Sequence, residues 1–304
     1  MIHLEKLLKN DRLMRALTGL NAQEFTNLVP DFEKQWQTFR QRRYENDTRR
    51  ERKPGGGRKG FAKTTPEKLF FILFYYKCYP TYDVLSFFYD CNRSNACRRQ
   101  QKLSAVLEAT LKRKLMLPKR QLRNIEEFFR AFPEAKEVFI DGTERPIQRP
   151  KDTEKQKANY SGKKKRHTRK NLIISTRKRY VGFLSRTVEG KEHDIAILKA
   201  QAPPRSIPRS VKTHVDLGFK GLDTEYPDHH FSMPQRKPRT HDLTKTQKKQ
   251  NKKKSGVRVL VEHAIGGIKR LRIVSDVFRN RKAGFDDQAM LISCGLWNYH
   301  LAMR

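Results

Sequence analysis

Between residues 132 and 304 short apolar runs alternate with helical stretches, and this alternation confines that part of the chain to an α/β architecture. Runs of strand character fall at 137–141 (EVFID), 171–176 (NLIIST), 180–187 (YVGFLSRT) and 211–216 (VKTHVD). A helix is expected around 193–201, and longer ones over 256–271 and 286–301. Two of the strand runs end on an acid with glycine close behind, Asp141-Gly142 and Asp216-Leu217-Gly218. Either alone is an ordinary turn signal. Together they predict two carboxylates presented from neighbouring strand ends, with each glycine turning the chain away.

The preceding residues are helical in pattern. Over 1–39 leucine and phenylalanine recur every three or four positions, and RQRRYENDTRRERKPGGGRKG (40–60) reads as a basic linker, because Pro54 and three glycines cannot continue a helix. A helix starts near Thr65 as N-cap with Pro66 next, and LFFILFYYKCY (69–79) runs buried to Pro80. Then Tyr82–Tyr89, a break at Asp90-Cys91-Asn92, and a helix opened by Ser94 give helix-turn-helix spacing. That second helix offers Asn95, Arg98, Arg99 and Gln101 to bases or phosphates.

Charge narrows the partner. The 304 residues hold 67 Lys+Arg against 32 Asp+Glu, a net charge of +35, more than solubility requires and directed at a polyanion. No run approaches the length of a membrane span and no signal peptide opens the chain, so nucleic acid is preferred over a membrane surface, and a cytoplasmic, nucleoid-associated location is expected. The four cysteines, Cys78, Cys91, Cys97 and Cys294, match no zinc spacing and are expected to be reduced thiols. Trp36 and Trp297 sit in helical apolar patterns and are expected in the core.

A third acid lies in SGVRVLVEHAIGGIKRLR, where Arg258, Glu262 and Lys269 share one helical stripe at spacings of four and seven. A surface ladder of about 0.5 kcal/mol or less per pair explains this stripe. So does a helix that turns Glu262 toward the two aspartates. Three carboxylates so placed suit two Mg²⁺ ions about 4 Å apart, the pairing that phosphodiester cleavage uses. Oxygen donors select hard cations, and no histidine pair or cysteine cluster competes. Three strands, a helix, a fourth strand and a terminal helix follow the order of an RNase H-like core, although periodicity alone fits other α/β folds.

The strings FIDGTERPIQRPKDTEKQKANYSGKKKRHTRKNLI, the pair His193-Asp194, VDLGFKG and RVLVEHAIGGIKR make the chain resemble DDE transposases of bacterial insertion sequences, in the branch related to Harbinger-type nucleases. The resemblance covers nearly the whole chain. It implies an RNase H-like catalytic core with a mixed five-stranded sheet flanked by helices, behind an all-α helix-turn-helix domain. Residues 1–60 would be helical segment and linker, 61–131 the DNA-binding domain and 132–304 the catalytic domain. It implies a triad of Asp141, Asp216 and Glu262 holding two Mg²⁺, with Mn²⁺ as substitute, and meets an R-x3-E-x6-K signature at Arg258, Glu262 and Lys269. A tyrosine often found three residues before the arginine is Ser255 here. His193 and Asp194 match a family pair that either caps a helix or takes part in catalysis.

Lys163, Lys164, Lys165 and Arg166, with Tyr160, resemble the family's basic segment and would contact phosphates and a base; the lysines of 247–258 would lead into the Glu262 helix. The expected partners are double-stranded DNA, at transposon ends and target, and further copies of the chain in a homodimer or larger synaptic assembly. No small-molecule substrate is expected. The alternatives are an inactive, domesticated helix-turn-helix regulator and a basic RNA-binding protein.

Overall fold

The structure, a computed structural model, describes residues 4–46, 60–238 and 240–304. The glycine-rich centre of the expected linker lies outside these residues. Two compact units are present: 1–117 with 270–273 and 299–304, and 118–269 with 274–298.

The first unit is helical: α1 (Leu4–Leu8), α2 (Asp11–Thr18), α3 (Ala22–Glu45), α4 (Thr65–Cys78), α5 (Tyr82–Phe88) and α6 (Arg93–Arg113). Helix α3 runs through Glu45, so the arginines at 40–43 are helical rather than linker. The N-cap of α4 is Thr64, not Thr65. Thr64 and Glu67 form a reciprocal capping box that satisfies two orphan N–H groups, whereas Thr65 would face Lys68 three residues on. Leu69 to Tyr76 are buried all round. Helix α6 starts at Arg93 behind Asn92, so Ser94 lies inside it; the turn is made by Asp90 at φ +44° and by Cys91 N–H donating to Ser86 O. Tyr82 Oη donates to Gln100 Oε1 (2.9 Å), and Gln100 Nε2 and Tyr76 Oη both donate to Ser104 Oγ, which fixes α4, α5 and α6 in one polar knot inside an apolar bundle.

The second unit contains α7 (Ile125–Ala131), β1 (Glu137–Pro146), α8 (Thr153–Asn159), β2 (Tyr160–Ser161), β3 (Arg166–Thr176), β4 (Val181–Leu184), β5 (Val188–Glu189), α9 (Asp194–Gln201), β6 (Lys212–His214), α10 (Leu222–Glu225), β7 (Phe231–Ser232) and α11 (Lys245–Lys269). Helix α12 (Arg272–Ser275) and α13 (Phe285–Ala302) complete the chain. The sheet runs β2-β3-β1-β6-β7, and β4 and β5 also pair with β3. Taken through β4 in place of β2, the order β4-β3-β1-β6-β7 gives a mixed sheet of five strands. β3 is antiparallel to β1 and β4, whereas β1, β6 and β7 are mutually parallel. This is the RNase H-like arrangement, with β5, β7 and the two-residue β2 added to the four expected strands. Val138 and Ile140 of β1, Leu172 and Ile174 of β3, and Ile197 and Leu198 of α9 share the central apolar cluster.

Asp141 does not end its strand. β1 continues five residues further, with Gly142 opposite Leu172 in unbroken antiparallel register. Asp216 likewise lies two residues past β6, where it caps the 3₁₀ turn Leu217–Phe219. All four cysteines are free thiols, three of them half-buried and Cys294 buried. Trp297 is buried, while Trp36 is half-exposed and stacks on Phe39. No described helix is long and apolar enough to cross a membrane.

Candidate active site

Parallel register places the two aspartates side by side. Phe139 of β1 is opposite His214 of β6, their rings stacked at 4.7 Å. Asp141 follows two residues later within β1, and Asp216 two residues later in the extended backbone just past β6, so a period of two returns both to the same face. Asp141 Oδ1 accepts from Gly142 N–H and Asp216 Oδ1 from Gly218 N–H, each at 2.8 Å. Burial and then the facing Asp216 push the Asp141 carboxyl up to about 6, against the pull of Arg258 and the Gly142 N–H; Asp194 adds to the push.

Asp194 is therefore a third acid at this place, the second member of the His193-Asp194 pair for which the sequence leaves helix capping and catalysis open. It stands in the first turn of α9; His193 is the N-cap and makes no side-chain cap bond. A Cβ on Gly142 would sit 2.6 Å from Asp194 Oδ1 and 2.9 Å from Oδ2. Glycine is required here for close approach of a carboxylate, not for a turn. Lys170 Nζ lies 3.3 Å from Asp194 Oδ1 and 3.9 Å from Glu144 Oε1, so one buried ammonium serves two acids.

The third predicted acid is placed differently. Glu262 is exposed on α11, with its Oε1 3.8 Å from Arg258 Nη2. Arg258 is mostly buried and is also the cation that pulls Asp141 down, so one guanidinium is shared between Asp141 and Glu262. Lys269, at the end of the same helix, donates to Glu144 O at 3.2 Å; burial, then Lys164 and Arg145, hold its ammonium below the ordinary lysine value. The structure thus gathers Asp141, Asp216, Asp194, Arg258 and Lys269. Among the described residues no three acidic, histidine or cysteine side chains converge tightly enough to enclose a metal ion.

Helix α11 starts eleven residues before the expected 256, and the lysine tract of 247–258 is helical rather than a lead-in. Asn251 exchanges hydrogen bonds with the Gln235 backbone, and Lys254 Nζ donates to Met233 O, anchoring the extension. At the other end Gly267 meets Trp297, whose Nε1 donates to Arg179 O. A Cβ at Gly267 would lie 2.4 Å from the indole ring. Gly267→Ala should destabilise the unit by about 1–3 kcal/mol, through overpacking, and lift the Glu262 helix off α13. Chemical denaturation checks this, and an unchanged midpoint contradicts it.

The predicted DNA-contacting residues divide. Arg98 is exposed on α6, but Arg99 lies over the Phe61 ring at 4.9 Å and is half-buried. Lys163, Lys164, Lys165 and Arg166 are all exposed, at the turn from β2 into β3 and its first residue. Tyr160 is 44 % exposed and meets His167 edge-on.

The model of the family described as DDE superfamily endonuclease matches residues 140–298, more than half the chain and inclusive of Asp141, Asp194, Asp216 and Glu262. The chain belongs to this family. Residues 64–113, which span α4 to α6, match the helix-turn-helix of DDE superfamily endonucleases. The chain is also 28 % identical over 294 residues to a probable transposase for insertion sequence element IS702 from Microchaete diplosiphon, covering 96 % of each protein. No solved structure matches it.

Proposed function

We propose that the chain is the transposase of a bacterial insertion sequence. In this reading residues 61–131 bind the terminal inverted repeats of the element, and residues 132–304 nick the transposon end and transfer its 3′-hydroxyl to target DNA. The observation that carries the reading is the pair of facing aspartates, Asp141 within β1 and Asp216 two residues past the parallel β6, with Asp141 held up at about 6. Like-charged carboxylates in that position are a poor structural device and a good cation site.

The donors fit a hard divalent ion, since they are oxygen-only and their mutual repulsion is what a bound cation relieves. Asp141, Asp216 and Glu262 would hold Mg²⁺, or Mn²⁺ in its place, which supplies the Lewis acidity that phosphodiester cleavage requires. The chain's own residues do the rest. The sheet fixes Asp141 and Asp216, and Glu262 joins them by leaving Arg258, which frees that guanidinium for a phosphate. Lys269 and the exposed cluster Lys163 to Arg166 hold the DNA backbone beside the site. Strand transfer exchanges one phosphodiester for another and needs no energy source. Holding two ends at once calls for a homodimer or larger assembly.

Single alanine substitutions at Asp141, Asp216 and Glu262 test the reading, with end binding and Mg²⁺-dependent cleavage assayed separately. Each variant should bind ends and fail to cut; cleavage that persists in all three overturns the triad. Tight end binding by the unaltered protein without cleavage in Mg²⁺ or Mn²⁺ would instead identify a regulator.

A further inference from the structure

Beyond Pro146 the segment 147–151 faces the loop 278–284 that leads into α13. Phe278 N–H donates to Pro146 O at 2.9 Å, and Ile147 and Phe278 form an isolated parallel bridge. Between the two segments lies a cleft of about 590 Å³, with Ile147, Pro150 and Phe278 among its apolar lining. Its charged lining is six cations to one carboxylate, Asp286. Arg169 is already engaged with Asp286 (3.1 Å) and Glu189 (3.6 Å), which neutralises the acid locally. Lys151, Arg281 and Lys282 are exposed at the rim and have no carboxylate partner among the described residues. Nothing in the triad or in the basic segment 160–166 accounts for this concentration of unpaired charge.

Position gives the cleft a task. Ile147 is six residues past Asp141 along an extended strand, about 20 Å at roughly 3.3 Å per residue. That is the axial length of about six base pairs. The cleft is too far away to touch a phosphate being cut at Asp141, and close enough to meet the same DNA on one side of the cut. We propose that this cleft, walled by 147–151 and 278–284, grips the phosphodiester backbone of the DNA flanking the scissile phosphate, about six base pairs from it. The grip is independent of sequence, since the unpaired groups are ammonium and guanidinium ions suited to phosphate. The choice of DNA as ligand rests on the transposase reading.

The test uses the full chain with Lys151→Ala, Arg281→Ala and Lys282→Ala combined. Binding to an end-bearing duplex and to an unrelated duplex of equal length is followed by fluorescence anisotropy across a salt series, without divalent ions. Both affinities should fall at least tenfold, and the slope of log K against log salt should shrink by about 2–3, near 0.9 for each phosphate no longer neutralised. A matched triple, Arg130→Ala, Lys178→Ala and Arg209→Ala, removes the same charge from exposed positions outside the cleft. Equal losses in the two triples, an unchanged slope, or a loss confined to structured RNA would each overturn the proposal. Should the first triple melt at a lower temperature, the single exposed change Arg281→Glu should weaken both duplexes and shrink the slope by about 1, and an unchanged slope there overturns the proposal. A protein that binds but does not cut sinks the transposase reading and leaves this measurement intact. Cleavage with an unaltered slope in the cleft variant sinks only the cleft.

Discussion

Asp141→Asn should make the metal-free protein more stable at pH 7.5 while reducing Mg²⁺-dependent DNA cleavage on the order of 10³-fold or more. The two effects share one cause. Burial and the facing Asp216 raise the carboxyl from 3.8 to about 6, so the native state binds this proton more tightly than the unfolded chain does. The resulting stability is fully present below pH 4 and is lost as pH rises through about 6. A shift of two units corresponds to about 3 kcal/mol, an upper bound that water and counter-ions reduce. An amide keeps the shape, retains an oxygen for the Gly142 N–H and carries no charge. Denaturation midpoints at pH 5 and 7.5 measure the effect: the wild type should lose stability between them on this account, and the variant should lose less. Mg²⁺ should raise the wild-type midpoint more than that of the variant. A variant less stable than wild type at pH 7.5 would mean that Asp141 is a structural acid, not one held under repulsion for a cation.

The strand run before Asp141 was legible because Val138-Phe139-Ile140 has to be buried. The role of Gly142 was not. A glycine after an acid reads as a turn, and its other meaning, close approach of a second group, depends on Asp194, 52 residues later in sequence. The sequence left Asp194 between helix capping and catalysis for the same reason, since only the packing of α9 in the folded chain brings it to Asp141. The stripe of Arg258, Glu262 and Lys269 was read from helical spacing, and the three do share α11. Spacing carries no information on rotamers, so it left open both a surface ladder and a Glu262 turned toward the aspartates; the structure pairs Glu262 with Arg258. The lysine run of 247–258 reads in the sequence as a lead into the Glu262 helix. It is helical because Met233 and Gln235 anchor Lys254 and Asn251 from outside the run.

Arg145→Met should destabilise the second unit by about 3–5 kcal/mol, the range for removing one partner from a buried charged network. Arg145 is four residues past Asp141 on β1 and fully buried. Burial depresses its guanidinium to about 10 even though Asp286 and Asp287 oppose the shift. Its two terminal nitrogens donate to Asp286 O (2.7 Å), Asn171 Oδ1 (2.8 Å) and Thr187 Oγ1 (3.0 Å). Thr187 in turn donates twice to Asp287 Oδ1, and Arg120 grips both oxygens of that carboxylate. One side chain therefore ties β1 to β3, to the segment before β5 and to the start of α13. Methionine fills most of the volume but satisfies none of the three acceptors. Arg145→Lys should recover less than half of the loss, because a single ammonium cannot span acceptors that the planar fork reaches together. Hydrogen exchange at the β1 and β3 amides should rise in both variants, more in methionine. Protection that survives in Arg145→Met would place the rigidity of the Asp141 strand in its ladder alone. Loss of protection would make this buried cation the reason that two repelling carboxylates can be held in place.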